Sequence, residues 1–222
     1  MNLYYFWTFV MRLILLTLTR WRVKGKLNVP RKGPLIVVAN HLSMADPPLL
    51  SASLPRHIVF MAKEELFGWH VLSPLVRSFG AIRLRKHLAD RRALTQARQV
   101  LSRGLALGMF PEGSRSRDHQ LQSAYTGTAL LALNTSAPIL PVAITGTEKV
   151  GGMGWLLRPC IEVNIGQPFS LTHNHELDHK QEIAQGTDII MRHIAELLPP
   201  EYRGKYRGDV AQPAFQEAGR AD

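Results

Sequence analysis

Between residues 30 and 200 the apolar positions switch repeatedly between short continuous runs and helical spacing. Continuous runs bounded by Gly, Pro or polar clusters predict strands at 35–40, 57–62, 81–85, 105–110, 138–144 and 161–166. Longer stretches with a helical period predict helices at 64–79, 89–103, 124–135 and 179–198. Alternation of this kind predicts an α/β fold: a single domain whose largely parallel or mixed sheet is covered by helices. The pattern at the N-terminus differs. LYYFWTFVMRLILLTLT (3–19) is almost wholly apolar and leads directly into Arg20, Arg22, Lys24 and Lys26. On a helical wheel Thr8, Arg12 and Thr19 fall within about 40° of one another, a narrow polar stripe on an otherwise apolar, aromatic-rich cylinder. The segment suits a helix lying deep in a membrane interface, with a short span or a buried amphipathic core helix as the alternatives. It does not read as a secretory signal, because the basic residues follow the apolar run and no small-residue cleavage site is present. The expected division is a membrane-anchoring helix with its basic flank at 1–26, an α/β domain at 27–202 and a flexible tail at 203–222.

Charge sharpens this picture. Residues 1–120 hold 19 Lys/Arg against 6 Asp/Glu, and residues 121–222 hold 8 against 11, within a net charge of +10. A basic first half implies an anionic partner, either nucleic acid or an anionic membrane. The apolar N-terminal segment favours the membrane, approached from the cytoplasmic face, over nucleic acid. One cysteine, Cys160, excludes an internal disulfide framework and a CxxC metal site. GTEKVGGMGWLLRP (146–159) is glycine-rich but lacks GxGxxG spacing after a strand, so it does not read as a dinucleotide loop.

Two stretches carry candidate chemistry. In VVANHLSMADPP (37–48) a strand-like run opens into His41, with Asp46 five positions on. A continuous helix would set those side chains about 140° apart. If His41 leaves the strand in a turn and Asp46 caps a helix beginning at Pro47, the carboxylate can approach the imidazole. Neutral imidazole can take a proton from a hydroxyl while a carboxylate on its other nitrogen fixes the tautomer. No GxSxG elbow supplies a nucleophile, so the hydroxyl can be the substrate's own. The second stretch, MFPEGSRSRD (109–118), again follows an apolar run. Gly113 permits close backbone approach, Ser114 and Ser116 offer hydroxyls, and Arg115 and Arg117 offer forked donors suited to phosphate. Glu112 among these arginines is expected to hold one of them or to accept a hydroxyl hydrogen. HNHELDH (173–179) reads as a polar loop before a helix. Trp69 and His70 are candidates for the border of an acyl-chain groove or for simple core packing.

Four blocks, NHLSMADPP, GAIRLRK (80–86), FPEGSRS (110–116) and APILPVAI (137–144), resemble in sequence and order the glycerolphosphate acyltransferase family, in particular 1-acyl-sn-glycerol-3-phosphate (lysophosphatidate) acyltransferases. The resemblance implies transfer of a fatty acyl group from acyl-CoA or acyl-carrier protein to the free hydroxyl of lysophosphatidate, giving phosphatidate in phospholipid biosynthesis. It implies His41 as general base and Asp46 as its orienting partner. Glycerol phosphate would be engaged by Glu112, Gly113, Ser114 and Arg115 and by one or more of Arg83, Arg85 and Lys86. No metal or other cofactor is implied. Where many members carry an acid followed by arginine this chain has Arg85 and Lys86, and Tyr125 stands where a lysine is common. Another lysophospholipid or a glycolipid is therefore an alternative acceptor. A noncatalytic anionic-membrane-binding protein is a further one.

Overall fold

The computed structural model describes residues 3–68, 73–84, 91–150, 154, 157–174 and 176–208. In chain order the elements are α1 (Leu3–Leu18), β1 (Arg20–Lys24), β2 (Leu35–Ala39), α2 (Asp46–Ser53), β3 (Ile58–Lys63), α3 (Ser73–Ser78), β4 (Ile82–Leu84), α4 (Arg91–Ser102), β5 (Ala106–Met109), α5 (Gly127–Thr135), β6 (Ile139–Thr145), β7 (Cys160–Ile165) and α6 (His179–Glu196). The seven strands form one sheet in the order β1-β7-β6-β2-β5-β3-β4. β6, β2, β5, β3 and β4 run parallel, β7 is antiparallel to β6, and β1 is parallel to β7. Strand β2 lies near the middle and is buried along its whole length, which is why LIVVA is uniformly apolar instead of alternating.

Helices cover both faces. One face buries Leu15 of α1 and Leu49 and Leu50 of α2 against Val37, Phe60, Leu140 and Val163. The other buries Ala93, Ala97 and Leu101 of α4, Leu131 and Ala132 of α5 and Ile190, Met191 and Ile194 of α6 against Ile36, Leu107 and Ile139. Helix α6 starts with a complete capping box, in which the Asp178 side chain accepts from Gln181 N and the Gln181 side chain accepts from Asp178 N.

Three expectations need correction. RWRVK, read as a basic flank, is edge strand β1; its alternation of exposed Arg20, Arg22 and Lys24 with half-buried Trp21 and Val23 is a two-residue period. The helix expected at 64–79 is instead a 3-10 turn at Glu64–Phe67 and the short helix α3. Gly68 closes the turn, and Pro74 has no N–H with which to continue a helix through it. Trp69 and His70 lie outside the described residues. The tail is not free at its start: Arg203 and Tyr206 are buried, and Tyr202 O accepts from Leu121 N at 2.9 Å.

Helix α1 turns its polar stripe inward. Thr8 is buried and Arg12 Nε donates to Ala52 O at 2.9 Å, while Tyr4 Oη accepts from Ile58 N at 3.2 Å. The outward face carries Tyr5, Phe9, Leu13 and Leu16, with Phe9 65% and Leu16 62% exposed. No helix among the described residues is long and apolar enough to cross a membrane, so the short-span alternative is not met there.

Candidate active site

Strands β2 and β5 are neighbours with Val38 opposite Met109, so the residues that follow them leave the same edge of the sheet side by side. His41 is three positions beyond Val38, and Glu112 three beyond Met109. The carboxyl ends of parallel strands are where such sheets open a crevice. Asn40 fixes the exit of β2. Its side-chain amide donates to Ile144 O and its Oδ1 accepts from Ile144 N, both at 2.8 Å, extending the ladder to β6 through a side chain.

The chain then doubles back, and His41 Nδ1 meets Asp46 Oδ2 at 2.8 Å. Oδ2 also accepts from Leu42 N and Ser43 N, each at 2.7 Å. Asp46 is fully buried and His41 retains 15% side-chain exposure. Asp46 is the first residue of α2, and the N-cap is Ala45, which makes no side-chain capping bond. The expected capping role is thus replaced: the carboxylate faces back into the turn and gathers the donors of residues 41–43. With Nδ1–H donated to Asp46, Nε2 is left with the lone pair that can accept a proton. Phe110 lies flat against the imidazole, ring centroids 4.2 Å apart and planes 22° from parallel.

Glu112 departs from the first of its expected jobs, holding an arginine. It is buried, its Oε1 accepts from His41 N at 3.0 Å and its Oε2 accepts from Gln122 N at 2.9 Å, so its partners are backbone amides of two loops rather than an arginine. Burial pushes its carboxyl up to about 7, outweighing the two amide bonds, which pull it down. Ser116 N donates to His41 O at 2.8 Å, a second tie between the loops. Gly113, at φ 67°, is left-handed, and an added Cβ would lie 2.7 Å from the Tyr125 ring. Ser114 and Arg115 are exposed on the turn that follows. Arg83 is exposed on β4, two strands out from β5, with its guanidinium 4.5 Å from the Phe67 ring centre. Arg85 and Lys86 lie outside the described residues.

His41, Asp46, Glu112 and the turn 113–115 thus form one edge cluster. Asn40, Phe110 and Gln122 were missed by sequence reasoning. Asn40 did leave a signal, a polar amide closing an otherwise apolar strand run. Gln122 left none, because its part is played by its backbone. In the cluster HNHELDH, His173 and His179 stand apart from this edge, approaching Glu182 at 2.9 and 3.8 Å beside the start of α6, and His175 lies outside the described residues.

Several known proteins are similar to this chain. A 1-acyl-sn-glycerol-3-phosphate acyltransferase of Streptococcus pneumoniae is 28% identical over 198 residues, covering 85% of this chain and 70% of that one. A lyso-ornithine lipid O-acyltransferase of Pseudomonas aeruginosa is 34% identical over 125 residues, 56% of this chain and 46% of that one. The crystal structure of the 1-acyl-sn-glycerophosphate (LPA) acyltransferase of Thermotoga maritima superposes with a TM-score of 0.64 at 26% identity, covering 86% of this chain and 80% of that one. The chain spans about half the length of most of the curated relatives it matches. The profile described as Acyltransferase matches residues 20–145, more than half of the chain and the whole of the edge cluster, so this chain belongs to the acyltransferase family.

Proposed function

We propose that this protein transfers a fatty acyl group from an acyl thioester to the free hydroxyl of lysophosphatidate. The observation that carries the reading is the His41–Asp46 pair, held at a sheet edge beside the FPEGSRS turn by Glu112. His41 Nε2 takes the hydroxyl proton as the acceptor oxygen attacks the thioester carbonyl. The C–S bond breaks as the new C–O bond is completed, and the proton returns from the imidazolium to the departing thiolate, leaving an ester and a free thiol. Because the nucleophile belongs to the acceptor, no acyl-enzyme forms. Arg115 and Ser114, exposed on the turn, meet the acceptor phosphate, with Arg83, Arg85 and Lys86 as further cations; Glu112 contributes by holding His41 and the loop of Gln122 in place.

The exposed apolar face of α1 rests in the membrane interface, so that a lipid acceptor and the catalytic edge share one surface. The basic residues that follow the apolar run support a seat on the cytoplasmic face of an anionic membrane. A different lysolipid acceptor is the second reading; Tyr125 favours it, since an exposed phenol lies over Gly113 where a cation would strengthen phosphate binding. Purified protein in anionic vesicles, supplied with acyl-CoA or acyl-carrier protein and a panel of lysolipids, tests both readings. Lysophosphatidate is expected to be the preferred acceptor. Preference for another lysolipid would select the second reading, and no transfer to any would reject both.

A further inference from the structure

Asp46 holds His41 by one hydrogen bond, and one bond does not fix a ring. An imidazole tethered at Nδ1 can still rock by small coupled rotations about Cα–Cβ and Cβ–Cγ, sweeping Nε2 through an arc. The face of the ring is held by another residue. Phe110 stacks on it at 4.2 Å, and Phe110 in turn is nearly parallel to Phe60, 6.2 Å away with planes 14° apart. Phe60 is buried on β3, and Gly108 on β5 makes room for it, since a Cβ there would come within 2.4 Å of the Phe60 ring. The order Gly108, Phe60, Phe110, His41 runs from the sheet interior to the catalytic edge as a stack anchored in the core.

From this we infer that Phe110 is a positioning residue for the acyl transfer, clamping the plane of His41 and stabilising its imidazolium through the negative face of the phenyl ring. The inference rests on the reading of His41 as general base. Asp46 restrains the ring within its plane and Phe110 restrains it out of plane, so Nε2 points in one direction. When the acceptor proton arrives at Nε2 the ring becomes a cation lying over an aromatic face, an arrangement favoured by the ring quadrupole. A leucine of similar bulk would fill the space and supply neither the flat surface nor the quadrupole.

Phe110→Leu in the full chain, assayed in vesicles, is expected to lower kcat by about tenfold and to leave KM for both substrates within about twofold. Its kcat/KM profile should have an acid limb displaced to lower pH, because a neighbour that favours the cation has gone. Phe110→Tyr is expected to restore both the rate and the profile. In a His41→Ala background the leucine substitution should change the residual rate little, since the stack then has nothing to orient. Pentafluorophenylalanine at position 110 keeps the shape and reverses the quadrupole; it is expected to move the acid limb as leucine does, and it serves if the leucine variant does not fold. The proposal is overturned if a folded leucine or fluorinated variant keeps the wild-type kcat and acid limb, or if leucine lowers the rate equally with and without His41. Failure of the general-base reading appears separately, as near-normal turnover by His41→Ala alone.

Discussion

Two histidines in this molecule sit against carboxylates at almost the same distance: His41 to Asp46 at 2.8 Å and His173 to Glu182 at 2.9 Å. Their surroundings differ. Asp46 is fully buried and draws two backbone amides besides the imidazole, whereas His173 is 54% exposed on a loop at the start of α6. His41 is stacked on an aromatic ring at the carboxyl ends of parallel strands, and its neighbour is a turn that exposes Ser114 and Arg115. The first pair holds its imidazole against a buried carboxylate, the arrangement that the proposed general base requires. The second ties a loop to a helix, Glu182 accepting from Asn174 N as well. A His–carboxylate distance is therefore poor evidence for catalysis; the buried donors and the crevice make the difference.

Substitution at both pairs tests that contrast, and the largest effect is expected at the first. His41→Ala should fold and bind vesicles but lose about a hundredfold or more in kcat, the scale for losing a general base, while His173→Ala should keep turnover within about twofold. Comparable losses at both would erase the distinction. Asp46→Asn should approach the His41 loss, because an amide cannot accept from Nδ1, Leu42 N and Ser43 N through one end without turning its own N–H₂ into the buried pocket. Near-normal kcat in a folded Asp46→Asn variant would show that the burial of this carboxylate serves only the turn.

Arg115→Ala sharpens the comparison at its second component, the cationic turn that only the first pair has. Loss of a charge-assisted contact costs about 1.5–3 kcal/mol, so KM for a phosphate-bearing acceptor should rise by roughly ten- to a hundredfold with little change for the acyl donor. Equal rises for both substrates would move Arg115 to the donor side.

Glu112 gives a pH test of the same edge. Its carboxyl titrates near 7 in the folded chain against an ordinary value of 4.5, because burial disfavours the charge. Between those values the folded state binds more protons than the unfolded state, so Glu112 makes stability fall as pH rises from about 4.5 to 7. The whole cost, about 3 kcal/mol, is present above pH 7 and absent below about 4.5. Chemical denaturation at pH 5 and pH 8 should show this slope in the wild type and its loss in Glu112→Gln. A variant with an unchanged slope would mean that the edge carries no buried charge.

The smallest effect is expected farther away: Phe9→Ser with Leu16→Ser on α1 should reduce sedimentation with anionic vesicles by a few fold, by removing apolar area from the interface, and leave the fold intact. Full retention would locate the membrane contact elsewhere.

Local signals were strong where one residue type had one use. LIVVA could only be a buried strand, the apolar runs before His41 and Glu112 marked two strand ends, and H-x4-D with FPEGSRS named the candidate chemistry. Signals failed where the same residues suited two environments. RWRVK looks like a solvated flank until β7 arrives to pair with it, and Arg203 and Tyr206 look like tail residues until the loop at Leu121 packs against Tyr202. The helical spacing at 64–79 hid the break made by Gly68 and Pro74.

By itself the sequence determined most of the elements, their α/β order, the apolar cylinder at the N-terminus and the identities of a candidate base, its carboxylate and a cationic turn, because these depend on residue type and short-range period. Tertiary structure alone decided what those groups touch. The register of β2 against β5 brings His41 and Glu112, 71 positions apart, to 3.0 Å, making an acid expected to hold an arginine into a brace between two loops, its proton affinity raised by burial. The same packing lays Phe110 on His41 and turns the polar stripe of α1 inward. Contacts between distant positions follow from strand register and burial, which no local window of sequence contains.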